Sequence, residues 1–460
     1  MAPSKNTRTI SQQAFESLVN ENIDDLGMDP SEALADAIET LTLQGVDLSG
    51  IITCIPGSAN DNPVIKCLDR LKEFEIKDRF EDTDLEEIVR LFGKLCEVEG
   101  SGDVNIVIKN GGLDLVIKFC SKIGRKSDDQ RALVPALKAL RFLLNDVQST
   151  EEFRKAGGPN IVMSILNTCS QSITVLDTGF SVVAAAATGN ELVKESFMDL
   201  KIDQLLFHTL SGKSRDSLQH PYDAIRALLT ADDNRVLASQ VFGYARRFAK
   251  IGIVESLVDA LGEGIKSPSL VSASVALKAV AVNDEICMSI AECGGIDSVL
   301  QCIDDSGEQS NTVVAKACCS LLSKLAGSDA NKSSIVQKGG MDRLIKLSCR
   351  LADDPFVLQE IMLIICTLCL RSPGNAARAV EAGAGDFAIQ AMERFPDAYQ
   401  MQKQSCLMIR NLVVRNQENR TILLGNGIEK IIRKAKENHK SCREAATDAL
   451  RDLGLDNYNM

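Results

Sequence analysis

Four groups of residues in this sequence have types and spacings that could do chemistry. Cys366 and Cys369 form a C-x-x-C pair, the spacing of redox dithiols and of half a zinc site. The pair sits inside a continuously apolar stretch with no second pair to complete a metal set, so it reads as core. Gly212-Lys213-Ser214 has the ending of a phosphate loop, but position 207 is Phe where that loop needs its first Gly. His208, His220 and His439 are far apart in sequence, and no nucleophile with a base accompanies any of them. The segment FGYARRFAK interleaves aromatic rings with Arg246, Arg247 and Lys250, a mixture able to stack on bases and pair with phosphates. No catalytic, cofactor-binding or metal-binding residue is assigned, and the expectation is a protein that is not an enzyme and carries no cofactor.

The background against which these residues stand is acidic. The chain has 63 acidic and 51 basic residues, for a net charge of −12. That balance argues against nucleic acid as a partner and against binding to an anionic membrane. The start MAPSKNTRTISQQ lacks the apolar centre of a signal peptide, and no run approaches the roughly 20 apolar residues of a membrane span. Fifteen cysteines are scattered through apolar patterns, as buried thiols in a reducing compartment would be. A cytoplasmic location, with the nucleus as a second site, is expected.

The elements that would position these residues repeat. The 45% hydrophobic content includes only 4% aromatic residues and no Trp, which favours helices built on Leu, Ile, Val and Ala. Residues 331–375 show the unit: a short helix opened by Asn331, a break at Gly339-Gly340, a second helix, then Asp353-Asp354-Pro355 starting a long apolar third helix. The break recurs at Gly111-Gly112, Gly157-Gly158 and Gly294-Gly295, and in relaxed form at Gly383/Gly385 and Gly425/Gly427. Adjacent breaks lie about 42–46 residues apart, the period of two- or three-helix repeats. The longer gap after Gly158 has room for two more units, the second with a lengthened front over Val241 to Lys250. The reading gives an N-terminal helical extension and linker over 1–60, capping helices over 63–100, about eight repeats over 103–455 and a tail over 456–460. The two helices of the extension either pack back on the first repeat or dock a partner through Phe15, Leu18 and Leu34.

The unit N-x-x-x-[IV]-x-x-x-G-G, with a third helix ending as in QKQSCLMIRNLVVRNQEN, resembles the armadillo repeat over roughly residues 64–455. The block ISQQAFESLVNENIDDLGMDPSEALADAIETLTLQGVDLSGII, with VFGYARRFAK and CREAATDALRDLG, is similar to one branch of that family rather than to its generic repeat. The resemblance implies an all-α armadillo-repeat α-solenoid, a right-handed superhelix of three-helix units whose third helices line a concave groove. It further implies a groove position for Asn411, whose amide can pair with a peptide backbone of any sequence. The matching positions hold Phe142, Ala227, Ala279, Lys324, Thr367 and Asp452, so the Asn ladder has one rung. Recognition of nuclear localisation signals in the importin-alpha manner needs Trp four residues before the Asn, and this chain has none.

One position earlier, Arg141, Arg226, Lys278, Arg410 and Arg451 would form a basic strip suited to an acidic peptide if they face the groove. The other reading is that they are solvated or paired with acids of the next repeat. Arg246 and Arg247 belong either to a functional insertion or to the same kind of solvated face. The function expected is a protein-interaction scaffold, monomeric, holding a partner segment in the groove. A carrier that shields a basic client with its acidic excess is the alternative.

Overall fold

The structure, a computed structural model, describes residues 8–48, 50–56, 62–77, 79–97, 101–124, 130–212, 218–232 and 238–455. The linker boundary near Asn60, Lys213 and Ser214 of the loop-like motif, and the 456–460 tail lie outside the described residues. Two compact units divide the chain. The first runs to Ile202 and includes Ala231 and Asp232, and the second holds Asp203–Thr230 and 238–455.

In the first unit, helices Gln12–Asp24 and Pro30–Leu43 pack against each other. Ser11 and Asp29 cap them by accepting from backbone N–H groups, and Pro30 occupies the first turn where no donor is needed. Phe15, Val19, Ala33, Ala37, Leu41 and Ile51 make a closed core, with Leu18 and Leu34 packed partly against it. Phe15 is therefore a core residue and is not available as a docking side chain. Part of the stretch expected as linker packs back on these helices. Val46–Asp47 pairs in parallel with Arg8–Thr9, and Gln12 exchanges two hydrogen bonds with the Ile52 backbone. Gly50 lies against helix Ser101–Lys109, where an added Cβ would sit 2.9 Å from Asn105 Cβ.

Helices Pro63–Glu75 and Asp82–Cys96 follow, and from Ser101 the described helices run in threes. The first unit holds Ser101–Lys109, Gly112–Ile123 and Gln130–Leu143, then Val147–Lys155, Gly158–Thr168 and Ile173–Ala187. In the second unit the threes are Ala238–Lys250, Ile253–Gly262 and Leu270–Val280; Asp284–Glu292, Gly295–Glu308 and Thr312–Leu325; Asp329–Gln337, Gly340–Arg350 and Pro355–Cys369; Pro373–Glu381, Ala384–Arg394 and Tyr399–Val413; and Gln417–Gly425, Ile428–Asn438 and Arg443–Asp452. Helices Glu191–Asp199, Ile202–Leu210 and His220–Leu229 lie across the division in sequence.

The two glycines of the break do different work. Gly339 takes φ +74°, where a side chain is strained, and turns the chain between helices. Gly340 has an ordinary backbone, but an added Cβ would lie 2.6 Å from Ile335 Cγ2, so it permits a close approach. The turn is also made by Gly252, and by Gly383 and Gly427 rather than Gly385 or Gly425. Lys201 makes it without glycine, at φ +62°.

Asn331 does not open its helix, because Ser328 is the cap. Asn331 is buried in the first turn and donates to the carbonyls of Cys287 (2.9 Å) and Leu325 (3.2 Å), one repeat back. Asn419 repeats the arrangement on Ala376 (3.1 Å) and Leu412 (2.8 Å). Each buried amide thereby ties the end of the preceding third helix, at Leu325 or Leu412, to the first helix of the preceding repeat, at Cys287 or Ala376. Helix Pro355–Cys369 begins as its sequence indicates, with Asp354 accepting from the Phe356 and Val357 N–H groups.

Candidate protein-interaction surface

Third helices place their outward residues by the helical period. Residues three, seven and eleven apart fall within about 80° of one another at 3.6 residues per turn. On Thr312–Leu325 this row is Val313, Lys316, Ser320 and Lys324. On Pro355–Cys369 the same register gives Phe356, Gln359, Leu363 and Thr367, and on Tyr399–Val413 it gives Gln400, Lys403, Leu407 and Asn411. Beneath these rows the helices are closed. Cys318, Cys319, Ile361, Ile364, Cys406 and Ile409 have no exposed surface. Above them Val313 is 62% exposed and Phe356 65%, with Leu363 also exposed. Lys316 holds its ammonium 4.9 Å from the centre of the Phe356 ring, a cation–π contact across neighbouring helices.

The two rows singled out from sequence divide. Asn411 Nδ2 donates to the Cys366 carbonyl (2.9 Å) and lies 3.1 Å from its sulfur, so the donor is used within the protein. Arg410 pairs with Asp448 (3.1 Å) and Asp452 (3.2 Å), and Arg451 pairs with the same two acids. Lys278 donates to Ser320 Oγ at 2.6 Å, and Thr367 donates back to the Leu363 carbonyl at 2.8 Å. Lys324 and Arg141 are exposed and Arg226 is half-buried, in different repeats. What the register adds is Lys316 and Lys403. Two positions along each third helix were too few to find them, although the period of the helix itself carries the signal.

The FGYARRFAK segment is the C-terminal part of helix Ala238–Lys250, which is longer than the nine residues of other first helices such as Asp284–Glu292. Val241, Ala245 and Phe248 bury one face. Arg247 grips the buried Asp203 carboxylate, while Arg246 is exposed with Nε 3.3 Å from the Phe242 carbonyl. The cluster does not present a row of stacking rings, since Phe248 is inside and Gln240 donates to the Tyr244 hydroxyl.

The C-x-x-C pair lies in the apolar third helix. Burial pushes the Cys366 thiol up to about 11 and Cys369 higher still, opposite to the depressed thiol of a redox centre. Among the described residues no group of His, Cys, Asp and Glu could hold a metal ion. No single described helix is long and apolar enough to cross a membrane. His439 Nε2 lies 2.7 Å from the Pro396 carbonyl, within the packing of the last two repeats.

Two family models account for the chain: ARMC6 matches residues 64–457, and the Armadillo repeat-containing protein 6 N-terminal domain matches residues 7–65. Armadillo repeat-containing protein 6 of Homo sapiens is 27% identical over 392 residues, covering 80% of this chain and 75% of that protein. The homolog from Drosophila melanogaster is 26% identical over 382 residues, covering 82% and 80%. Among solved structures, an engineered protein aligns over 97% of this chain and 99% of its own with a TM-score of 0.69 at 18% identity. A structure from work on a phosphorylation switch controlling the interaction between cadherin and beta-catenin aligns over 89% of this chain and 82% of its own, with a TM-score of 0.60 at 17% identity. At those identities the structural likeness shows the fold, an all-α armadillo solenoid. The chain belongs to the ARMC6 family of armadillo-repeat proteins.

Proposed function

We propose that this protein is a non-enzymatic interaction scaffold that holds a segment of a partner protein on the third-helix face of its second unit. The observation that supports this is the layering of that face. Val313, Phe356 and Leu363 stay exposed on helices whose every underlying position is closed, so no side of the fold is waiting to cover them. Free thiols at all fifteen cysteines fit a reducing compartment, the cytoplasm or nucleus, and a monomer is the form proposed. A carrier for a basic client is disfavoured by charge, because Lys316, Lys324 and Lys403 give this face the wrong sign.

The test is a photo-crosslinking residue placed at Gln359 on the third helix and, separately, at the exposed Lys346 on a second helix, in cells expressing the full chain. Capture of the same protein from Gln359 and not from Lys346 is the expected result. Equal capture from both positions, or none from Gln359, would remove the third-helix face as the binding surface.

A further inference from the structure

The three rows carry a charge pattern as well as an apolar centre. Lys316 and Lys403 occupy the same register on the two helices flanking Phe356, Gln359 and Leu363, and Lys324 stands two steps beyond Lys316 on the same row. All three lysines are exposed, and none pairs with a carboxylate among the described residues. Other bases of this unit do find acids: Arg343 pairs with Asp304, Arg350 with Glu308 and Arg410 with Asp448 and Asp452. Unpaired lysines grouped around an apolar centre, in a chain with net charge −12, are a local reversal of sign. Glu360 is a half-buried carboxylate beside this row, and its Oε2 is shielded from solvent without a hydrogen-bond partner.

We propose that the segment held here is acidic with an apolar centre, contributed by a partner protein. Carboxylates of that segment lie on Lys316 and Lys324 at one side and on Lys403 at the other. An apolar side chain between them rests on Phe356 and Leu363. The inference rests on the reading of this face as the docking surface and specifies the chemistry of what docks. Packed helix axes are about 8–10 Å apart, so crossing three of them covers about 20 Å. An extended chain advances about 3.3 Å per residue, which makes the recognised stretch about six residues long. A nucleic acid would supply negative charge too, but it needs open ring faces for stacking. The Phe356 ring already carries the Lys316 ammonium, which suits an aliphatic partner at its edge better than a base on its face.

The probes are fluorescein-labelled synthetic peptides of about twelve residues, with Glu and Asp flanking a central pair of Leu. One control replaces the acids by Lys, a second replaces Leu by Ser, and a single-stranded RNA twelve-mer is the third. Fluorescence anisotropy with the full chain should show the acidic–apolar peptide binding best, with affinity falling several-fold as salt rises. Lys316→Glu with Lys324→Glu should weaken it at least tenfold, Phe356→Ser similarly, and Glu360→Gln should strengthen it. Lys316, Lys324 and Phe356 are exposed and Glu360 is half-buried, and unchanged thermal melts would confirm intact folding. Binding of the Lys peptide or the RNA as tightly as the acidic peptide overturns the proposal, and so does binding unaffected by the charge reversals. If Gln359 still captures a partner in cells while these peptides fail, the docking face stands and its acidic specificity falls.

Discussion

Arg247 clasps Asp203 through three contacts of 3.0–3.2 Å, joining the long first helix Ala238–Lys250 to the second helix of the preceding repeat. Asp203 is 2% exposed, so the guanidinium is what keeps a buried carboxylate tolerable. Replacing Arg247 by Leu should destabilise the protein by about 3 kcal/mol, read from the midpoint of urea unfolding. The double variant with Asp203→Leu should recover most of that loss, because it removes the stranded charge as well as its partner. A mild Arg247→Leu effect would show that the side chain serves an outside ligand rather than the fold.

Asn331 and Asn419 brace successive repeats by donating to carbonyls of the preceding one. Changing Asn331 to Leu keeps approximate volume but removes two buried hydrogen bonds to the preceding repeat, a loss of about 1–3 kcal/mol at roughly 0.5–1.5 kcal/mol for each bond. Asn411→Leu should cost less than Asn331→Leu, since Asn411 is half-buried and its Cys366 contact lies on the outward row. Hydrogen exchange should localise the Asn331→Leu effect to the joint around Cys287 and Leu325.

These asparagines mark the limit of what the sequence reveals. The helix triplets were legible because glycine turns and apolar stripes are local signals that any copy of the unit repeats. The Asp354-Pro355 start was legible for the same reason. Asn331 read as a cap because Asn favours caps, and only the packed neighbour shows that its amide spans two repeats. Arg410 and Lys316 make the same point for the surface. Both are bases on third helices, yet Arg410 is neutralised by Asp448 and Asp452 on the third helix of the next repeat and Lys316 is not. Whether a charge is free depends on a residue about one repeat away, which no local pattern encodes.

The turn between first and second helices offers a paired test. Lys201 adopts φ +62° where the other repeats use glycine, a conformation that costs an L-residue roughly 1 kcal/mol. Lys201→Gly should therefore stabilise slightly, by under about 1 kcal/mol once the greater freedom of the unfolded glycine is counted. Gly340→Ala should go the other way, because its methyl would meet Ile335 at 2.6 Å and force the two helices apart. Its cost should be about 1–3 kcal/mol, the range for overpacking a tight core. Thermal melts of the two variants moving in the same direction would contradict this account of the turn.

Buried thiols should make the protein sensitive to alkali. Burial pushes Cys67 and Cys366 up to about 11, and Cys120 and Cys406 up to about 12, from an ordinary value of 9.0. A thiol whose folded value is raised holds its proton longer in the native state than in the unfolded chain. Its contribution is complete below about pH 9 and is lost as pH rises towards 11 and 12, because the unfolded state alone gains by ionising. Each such group contributes about 1.4 kcal/mol of lost stability per pH unit within that window. Unfolding midpoints measured from pH 8.5 to 11 should fall, and Cys120→Ala with Cys406→Ala should reduce the slope even though both substitutions lower stability at neutral pH. Thiol labelling at pH 8 should meanwhile reach the exposed Cys293 and Cys349 first and the buried set only on unfolding. An unchanged slope in the double variant would mean that these thiols already meet water in the native state, and that the apolar third helices are less closed than their packing implies.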